Sequence, residues 1–192
     1  MKRNLFITAV VLALFTGCTD AQNSPTSSDS YGPPDGAMPV LERLDQYQPV
    51  ILTDVVRDGL IYMREEEKVA RDVYRALYQK FTLRVFVNIP KSEQRHMDAI
   101  KKLLDRYGIE DPVGENGEGV FRNEGLQKLY TDLVARGSVS TQEAYAVGRL
   151  IEETDIADLD HHLAEVDGNS DIAAVYAQLR VGSTHHLRAF SR

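Results

Sequence analysis

Arg64-Glu65-Glu66-Glu67-Lys68-Val69-Ala70-Arg71-Asp72-Val73-Tyr74 is the stretch on which the fold turns. Around it apolar residues recur at Leu60, Met63, Ala70, Val73, Tyr74 and Leu77, the three-and-four spacing of one helix face. Glu67 stands four residues after Met63 and three before Ala70, on that stripe, whereas Glu65 lies off it. A carboxylate facing a core is unfavourable unless it is paired, protonated or bound to a metal. Glu67 is therefore the residue to explain. An arginine partner, Arg95 or Arg149, is the plain alternative to a metal.

Outward from this stretch the chain reads as helices. The opening helix has Pro49 near its first turn and runs to about Gln79, with Gly59 inside it at a cost of about 1 kcal/mol against alanine. Phe81, Leu83, Val85, Phe86, Val87 and Ile89 read as an apolar connection over the end of a bundle, since no second strand is available to pair with them. Pro90 and Ser92 announce the second helix, which Gly108 stops after Tyr107. The acid- and glycine-rich run from Asp111 to Gly119 reads as a solvated connection, without the calcium-loop pattern. A short helix near 123–135 follows. Ser140-Thr141-Gln142-Glu143 is a capping box that opens the next long helix. Asn169 or Ser170 caps the last, whose face is Ile172, Val175, Tyr176, Leu179, Gly182, His186 and Phe190. The fold class is all-α: a four-helix bundle with a short extra helix in the middle connection.

The chain before residue 48 reads differently. Met1-Lys2-Arg3 and the apolar run Leu5 to Phe15 form a leader, well short of the ~20 residues that span a bilayer. Phe15-Thr16-Gly17-Cys18 resembles a bacterial lipobox, which makes 1–17 a lipoprotein signal peptide and Cys18 the lipidated residue. Cys18 is the one cysteine in the sequence, so no disulfide forms within the chain. Residues 18–47, rich in Ser, Pro, Gly and Asp, read as a flexible tether, and 48–190 as the folded domain. The expected location is the outer face of a bacterial membrane. With Thr19 after the cysteine, an outer-membrane lipoprotein facing the periplasm is favoured, its membrane partner reached through the N-terminal lipid. Losing Lys2 and Arg3 with the leader takes the formal charge from -7 to -9. With no basic cluster, that balance argues against nucleic acid as a partner.

Glu93-Gln94-Arg95-His96 is E-x-x-H, a spacing that sets both side chains on one helix surface. Alone it is a common pair. It gains weight from a faint repeat: His96 falls on His186, Met97 on Leu187 and Ala99 on Ala189, while Glu93 falls on Ser183. Likewise Glu67-x-x-Ala70 lines up with Glu152-x-x-Asp155. These motifs resemble the ferritin-like superfamily, and Glu67-x-x-Ala70-x-x-x-Tyr74 with Glu93-x-x-His96 is similar to rubrerythrin-type domains. More closely, Glu65 to Tyr74, Asn88 to Met97 and Gly182 to Phe190 resemble a bacterial and archaeal ferritin-like family of unknown function, over about residues 48–190.

The resemblance implies a ligand set of Glu67, Glu93, His96, Glu152 and His186, with Asp155 offering a carboxylate where Ser183 replaces the fourth-helix glutamate. It implies one or two transition-metal ions, iron favoured over manganese or zinc. The plainer reading is a domain with no metal, in which His96 is a satisfied core histidine. Glu66 and Glu153 are the register alternatives. His161 and His162 read as helix-end residues, Arg71 and Asp72 as helix-surface groups or groups behind the ligands, and Tyr62, Tyr74 and Tyr176 as core, with a redox-active neighbour of a metal as the alternative for Tyr74. Two function classes follow: a redox protein for oxygen, peroxide or iron, or an anchored interaction module without a redox metal. The first needs an external electron donor, because the domain has no cysteine knuckles. A homodimer is compatible with either.

Overall fold

The computed structural model describes residues 38–166 and 168–192. The leader, Cys18 and the tether as far as residue 37 lie outside the described residues. No helix among those described is long and apolar enough to cross a membrane. A 3-10 helix at Pro39–Gln46 is followed by α1 (Asp54–Phe81), α2 (Val85–Tyr107), α3 (Glu124–Gly137), α4 (Thr141–Glu165) and α5 (Ser170–Phe190). Helix α1 pairs with α2 and α4 with α5, while α3, the short extra helix, closes against α1 and α4. The all-α bundle expected from the amphipathic stripes is the fold observed.

Several boundaries differ from expectation, each for a local reason. Helix α1 starts at Asp54, not near Pro49, because Thr53 caps it: its Oγ1 accepts the Val56 N–H at 3.3 Å. Helix α2 starts at Val85, so the expected apolar connection is helical. Its opening turn is held by Phe86 and Val87 N–H groups on the Leu83 and Arg84 carbonyls, at 3.0 and 3.1 Å. Pro90 then lacks the N–H for the next turn. Burial of Phe86 and Ile89 with Val73, Tyr74 and Leu77 offsets that loss. Only half of the capping box forms. Ser140 Oγ accepts the Glu143 N–H at 3.1 Å, but the Glu143 carboxylate turns to Arg136 at 2.8 Å. Ordered chain also begins before residue 48. Leu44 of the 3-10 helix is buried, the Val40 N–H donates to Gln178 of α5, and Arg106 of α2 holds the Tyr47 carbonyl.

The largest correction concerns Asp111 to Gly119, expected to be solvated, with the residues that flank them as far as Asn123. They form a strap along α1, held by buried charges. Arg64 forks onto Asp111 at 3.0 and 2.9 Å. Lys68 Nζ donates to Asp72 at 2.6 Å and to the Gly117 carbonyl at 2.7 Å, and lies 4.4 Å above the Phe121 ring. The Gly119 N–H donates to Asp72, and the Arg122 and Asn123 N–H groups donate to Glu65. Asp72 is thus a buried anchor rather than a surface group. Helix α1 has two covered faces, one against the bundle and one under the strap.

The core divides into two apolar clusters. One gathers Val73, Tyr74, Leu77, Phe86, Val147 and Phe190, and the other Leu60, Met63, Ile100, Leu103, Leu159 and Leu179. On every long helix the stripe between them is interrupted by polar residues: Glu67 on α1, Glu93 and His96 on α2, Glu152 and Asp155 on α4, Ser183 and His186 on α5. Apolar layers above and below therefore set a polar belt across the middle of the bundle.

Candidate metal centre

The belt brings the expected ligands together. Glu67, Glu93 and His96 present atoms within 4.8 Å of one another, and so do Glu93, Glu152 and His186; all five side chains are buried. Glu93 belongs to both groups. Its Oε2 lies 3.0 Å from His96 Nδ1 and its Oε1 3.0 Å from His186 Nδ1. Glu67 Oε2 lies 3.2 Å from His96 Nδ1, and Glu152 Oε2 3.5 Å from His186 Nδ1. The two imidazoles stack with centroids 5.5 Å apart. Neither Arg95 nor Arg149 pairs with Glu67; its contact is His96, and Arg149 holds the Phe190 carbonyl at the end of α5.

The second half of the site is asymmetric, as the replacement at Ser183 implies. Ser183 Oγ donates to the Leu179 carbonyl at 3.1 Å and lies within hydrogen-bonding reach of Asp155. Asp155 is buried beside Glu67 and Glu152 but joins neither three-residue group. Among the described residues Glu93 is the one carboxylate shared by both halves.

The electrostatics follow from packing carboxylates and imidazoles in a low-dielectric space. Burial opposes ionisation of Glu93, but the facing His186 and His96 outweigh it and hold its carboxyl well below the usual range. Burial likewise opposes charge on His96; Glu67 and Glu93 overcome it and push the imidazole up to about 10. His186 rises for the same reason, through Glu93 and Glu152. Glu152 goes up to about 7, through burial and then the charge of Glu93. Glu67, Glu66 and Asp155 also rise, burial being the first cause in each.

These residues fit a cation better than they fit one another. Glu93 Oε1 and His186 Nδ1 are 3.0 Å apart as an ion pair, without a well-aligned hydrogen bond. Glu67 Oε1 and Asp155 Oδ1 are buried without partners. Each such atom costs about 1–3 kcal/mol when left unpaired, more if charged. Carboxylate oxygens and imidazole nitrogens converging from four helices suit one or two transition-metal ions, iron, manganese and zinc included.

Three residues outside the expected ligand set support the site, and of these Gly182 alone had no place in it from sequence. Tyr74, read as core, donates from Oη to Glu152 Oε1 at 2.6 Å and fixes that carboxylate. Gly182 of α5 faces His96: a Cβ there would lie 2.6 Å from Nε2, so the ring needs a glycine opposite it. Glu66, a register alternative, is buried with Oε2 unpartnered, beside Asp155 and Asp158. Glu153, the other alternative, is exposed.

Residues 56–192 match the family described as an uncharacterised protein domain, DUF2202. The chain belongs to this family. The DUF2202 chain is also 47% identical over 153 residues to the uncharacterised protein MJ0754 of Methanocaldococcus jannaschii, spanning 80% of this chain and 82% of that protein. The crystal structure of hypothetical protein MJ0754 superposes with a TM-score of 0.73 at 48% identity, covering 74% of this chain and 81% of the other. The ferritin-like arrangement of this DUF2202 domain thus recurs in a solved relative, whose name assigns no reaction.

Proposed function

We propose that the protein is an envelope-anchored, metal-dependent redox protein acting on oxygen, peroxide or ferrous iron. One observation carries this reading: two buried carboxylate–imidazole groups share Glu93 at the middle of the bundle. Glu67 and His96 would hold one ion, Glu152 and His186 a second, and Glu93 both, with Asp155 beside them. Iron or manganese bound there supplies one-electron chemistry.

The chain's own residues do the rest. The apolar layers on either side exclude bulk water. Tyr74 orients Glu152, and Glu152, pushed up to about 7, can hold or release a proton near neutral pH. Reducing one hydrogen peroxide to two waters consumes two electrons and two protons. Iron(II) bound there would supply these electrons once, and repeated turnover would need an external donor, since the domain carries no cysteine for a second redox centre. Lipidation at Cys18 and a tether would hold the domain at the outer face of the membrane, two acyl signals being enough for stable anchoring.

The test mixes Fe(II)-loaded protein with hydrogen peroxide or dioxygen under otherwise anaerobic conditions, following oxidant consumption and the visible spectrum. Consumption that disappears in His96→Ala supports the proposal; inert, fully loaded protein refutes it. Intact mass of the native protein decides the anchor, because an unlipidated species or one retaining Met1 contradicts it. A second reading, an anchored module without a redox metal, is favoured by the ion pairs that His96 makes with Glu67 and Glu93 unaided. Purification with zinc alone, and no reaction after iron loading, would select it.

A further inference from the structure

A third group of ligating side chains stands outside the centre. At the C-terminal end of α4, His161 Nε2 lies 3.4 Å from Glu165 Oε1, and His162 Nδ1 lies 3.2 Å from Glu165 Oε2. The three present atoms within 4.8 Å of one another, with His161 exposed and the other two half-buried. Helix stability does not explain Glu165, since a carboxylate in the last turn opposes the helix dipole. Nor is His162 a free surface ring. It is seated between Tyr62 and Tyr176, with centroids 6.3 and 6.2 Å away, over Gly59, where a Cβ would come within 2.8 Å of Nδ1.

Polar side chains continue from this group along α4 toward the centre. Asp158, Asp155 and Glu152 follow at three-residue steps, on a helix otherwise buried through Ile151 and Leu159. From α1, buried Glu66 is acted on by the charges of Asp155 and Asp158. Glu66 Oε2 and Asp155 Oδ1 are buried without partners, and Tyr176 Oη, on which the charges of Glu165 and Glu66 act, has none either. The thirteen residue steps from Glu152 to Glu165 span about 20 Å of helix. Two buried carboxylate oxygens without partners, Asp155 Oδ1 on α4 and Glu66 Oε2 on α1, are costly in a purely structural interface.

We propose that His161, His162 and Glu165 form a docking site for a divalent transition-metal cation, from which Asp158, Glu66 and Asp155 pass the ion to the centre. The inference rests on the metal-centre reading and adds the route by which that centre is filled. Imidazole and carboxylate select a first-row divalent ion at the mouth. Half-buried Asp158 and then buried Glu66 and Asp155 offer successive oxygen ligands on the way in.

Metal-free full-length protein, mixed with Co2+ in a stopped-flow spectrometer and assayed for final metal content, tests the route. Wild type should bind at the outer group first and then fill the centre. His161→Ala/His162→Ala should lose the outer ion and fill the centre at least about tenfold more slowly to the same final extent, as expected when local cation capture is removed. Asp158→Asn should keep the outer ion and slow filling of the centre. Glu93→Ala should keep the outer ion and lose the inner one. Equal centre-filling rates in wild type and the double-histidine variant overturn the docking role. Wild type that binds cobalt only at the outer group overturns the centre reading and the route together, so the two failures are distinguishable.

Discussion

Replacing Gly182 with alanine should damage the centre without unfolding the bundle. The added Cβ would lie 2.6 Å from His96 Nε2 and 2.9 Å from Cε1. Relief to an ordinary contact of 3.4 Å requires the ring to retreat by about 0.8 Å. Metal–ligand distances tolerate only about ±0.2 Å, so His96 would no longer reach an ion shared with Glu67 and Glu93. Perturbing merely the group behind a ligand lowers metal affinity about 10–100-fold, and displacing the ligand itself should do at least as much. Stability should respond far less. Overpacking costs about 1–3 kcal/mol, and exchanging a helical glycine for alanine returns about 1 kcal/mol. The net is about 0–2 kcal/mol, a fall in Tm of at most about 8 °C for a domain of this size. Titration of the metal-free variant with Fe2+ or Co2+, beside thermal unfolding, reads both quantities. Gly137→Ala is the control: its Cβ would meet Leu77 at 2.9 Å, away from the centre, and should leave affinity unchanged. Wild-type affinity and stoichiometry in Gly182→Ala would refute the assignment of His96.

Other expectations follow from the same contacts. Lys68→Met leaves the buried Asp72 with Arg71 and the Gly119 N–H as its remaining partners beneath the strap, and should cost about 1–3 kcal/mol in denaturant titrations. Loss of under ~1 kcal/mol would mean that the strap does not depend on this pair. Tyr74→Phe removes the hydrogen bond that orients Glu152, and should weaken metal binding about 10–100-fold while retaining the fold by circular dichroism. Unchanged affinity would remove Tyr74 from the site. For pH, Glu152 and His96 both bind protons more tightly folded than unfolded, so each contribution is lost as pH rises. The Glu152 term is present below its unfolded value and disappears through about 7; that of His96 disappears through about 10. Glu93, held low, acts oppositely and loses its contribution in acid. Metal-free protein should therefore be more stable near pH 5 than near pH 8, while the gain in Tm on adding metal grows over that window as ligands deprotonate. A metal-induced gain that shrinks with rising pH would contradict this assignment.

The centre was largely legible in sequence because it breaks a pattern. Glu67 interrupts an apolar stripe, Glu93-x-x-His96 puts two donors on one face, and the repeat exposes Ser183 as the asymmetric position. What escaped depends on the neighbouring chain. Helical periodicity marks one buried face, so it hid the second face of α1, where Glu65, Lys68 and Asp72 hold the strap. The strap's glycines and acids suggest solvent, yet its backbone N–H groups supply donors for buried carboxylates. Pro90 suggested a helix start, although burial of Phe86 and Ile89 extends α2 before it. The need for glycine at 182 depends on how close α5 approaches α2 at His96, a distance no single stripe encodes. Spacing does carry a trace of the ladder from Glu152 to Glu165, but its mixed acids and histidines resemble an ordinary solvated helix face.

The central claim is most directly tested by counting metal. Full-length protein purified without a histidine tag, supplied with iron, manganese and zinc and then dialysed, is analysed by inductively coupled plasma mass spectrometry beside Glu93→Ala and His96→Ala. The account expects one or two tightly held ions in wild type, with a marked loss in Glu93→Ala because both ligand groups share that carboxylate. Wild type that retains no more metal than the two variants would contradict it.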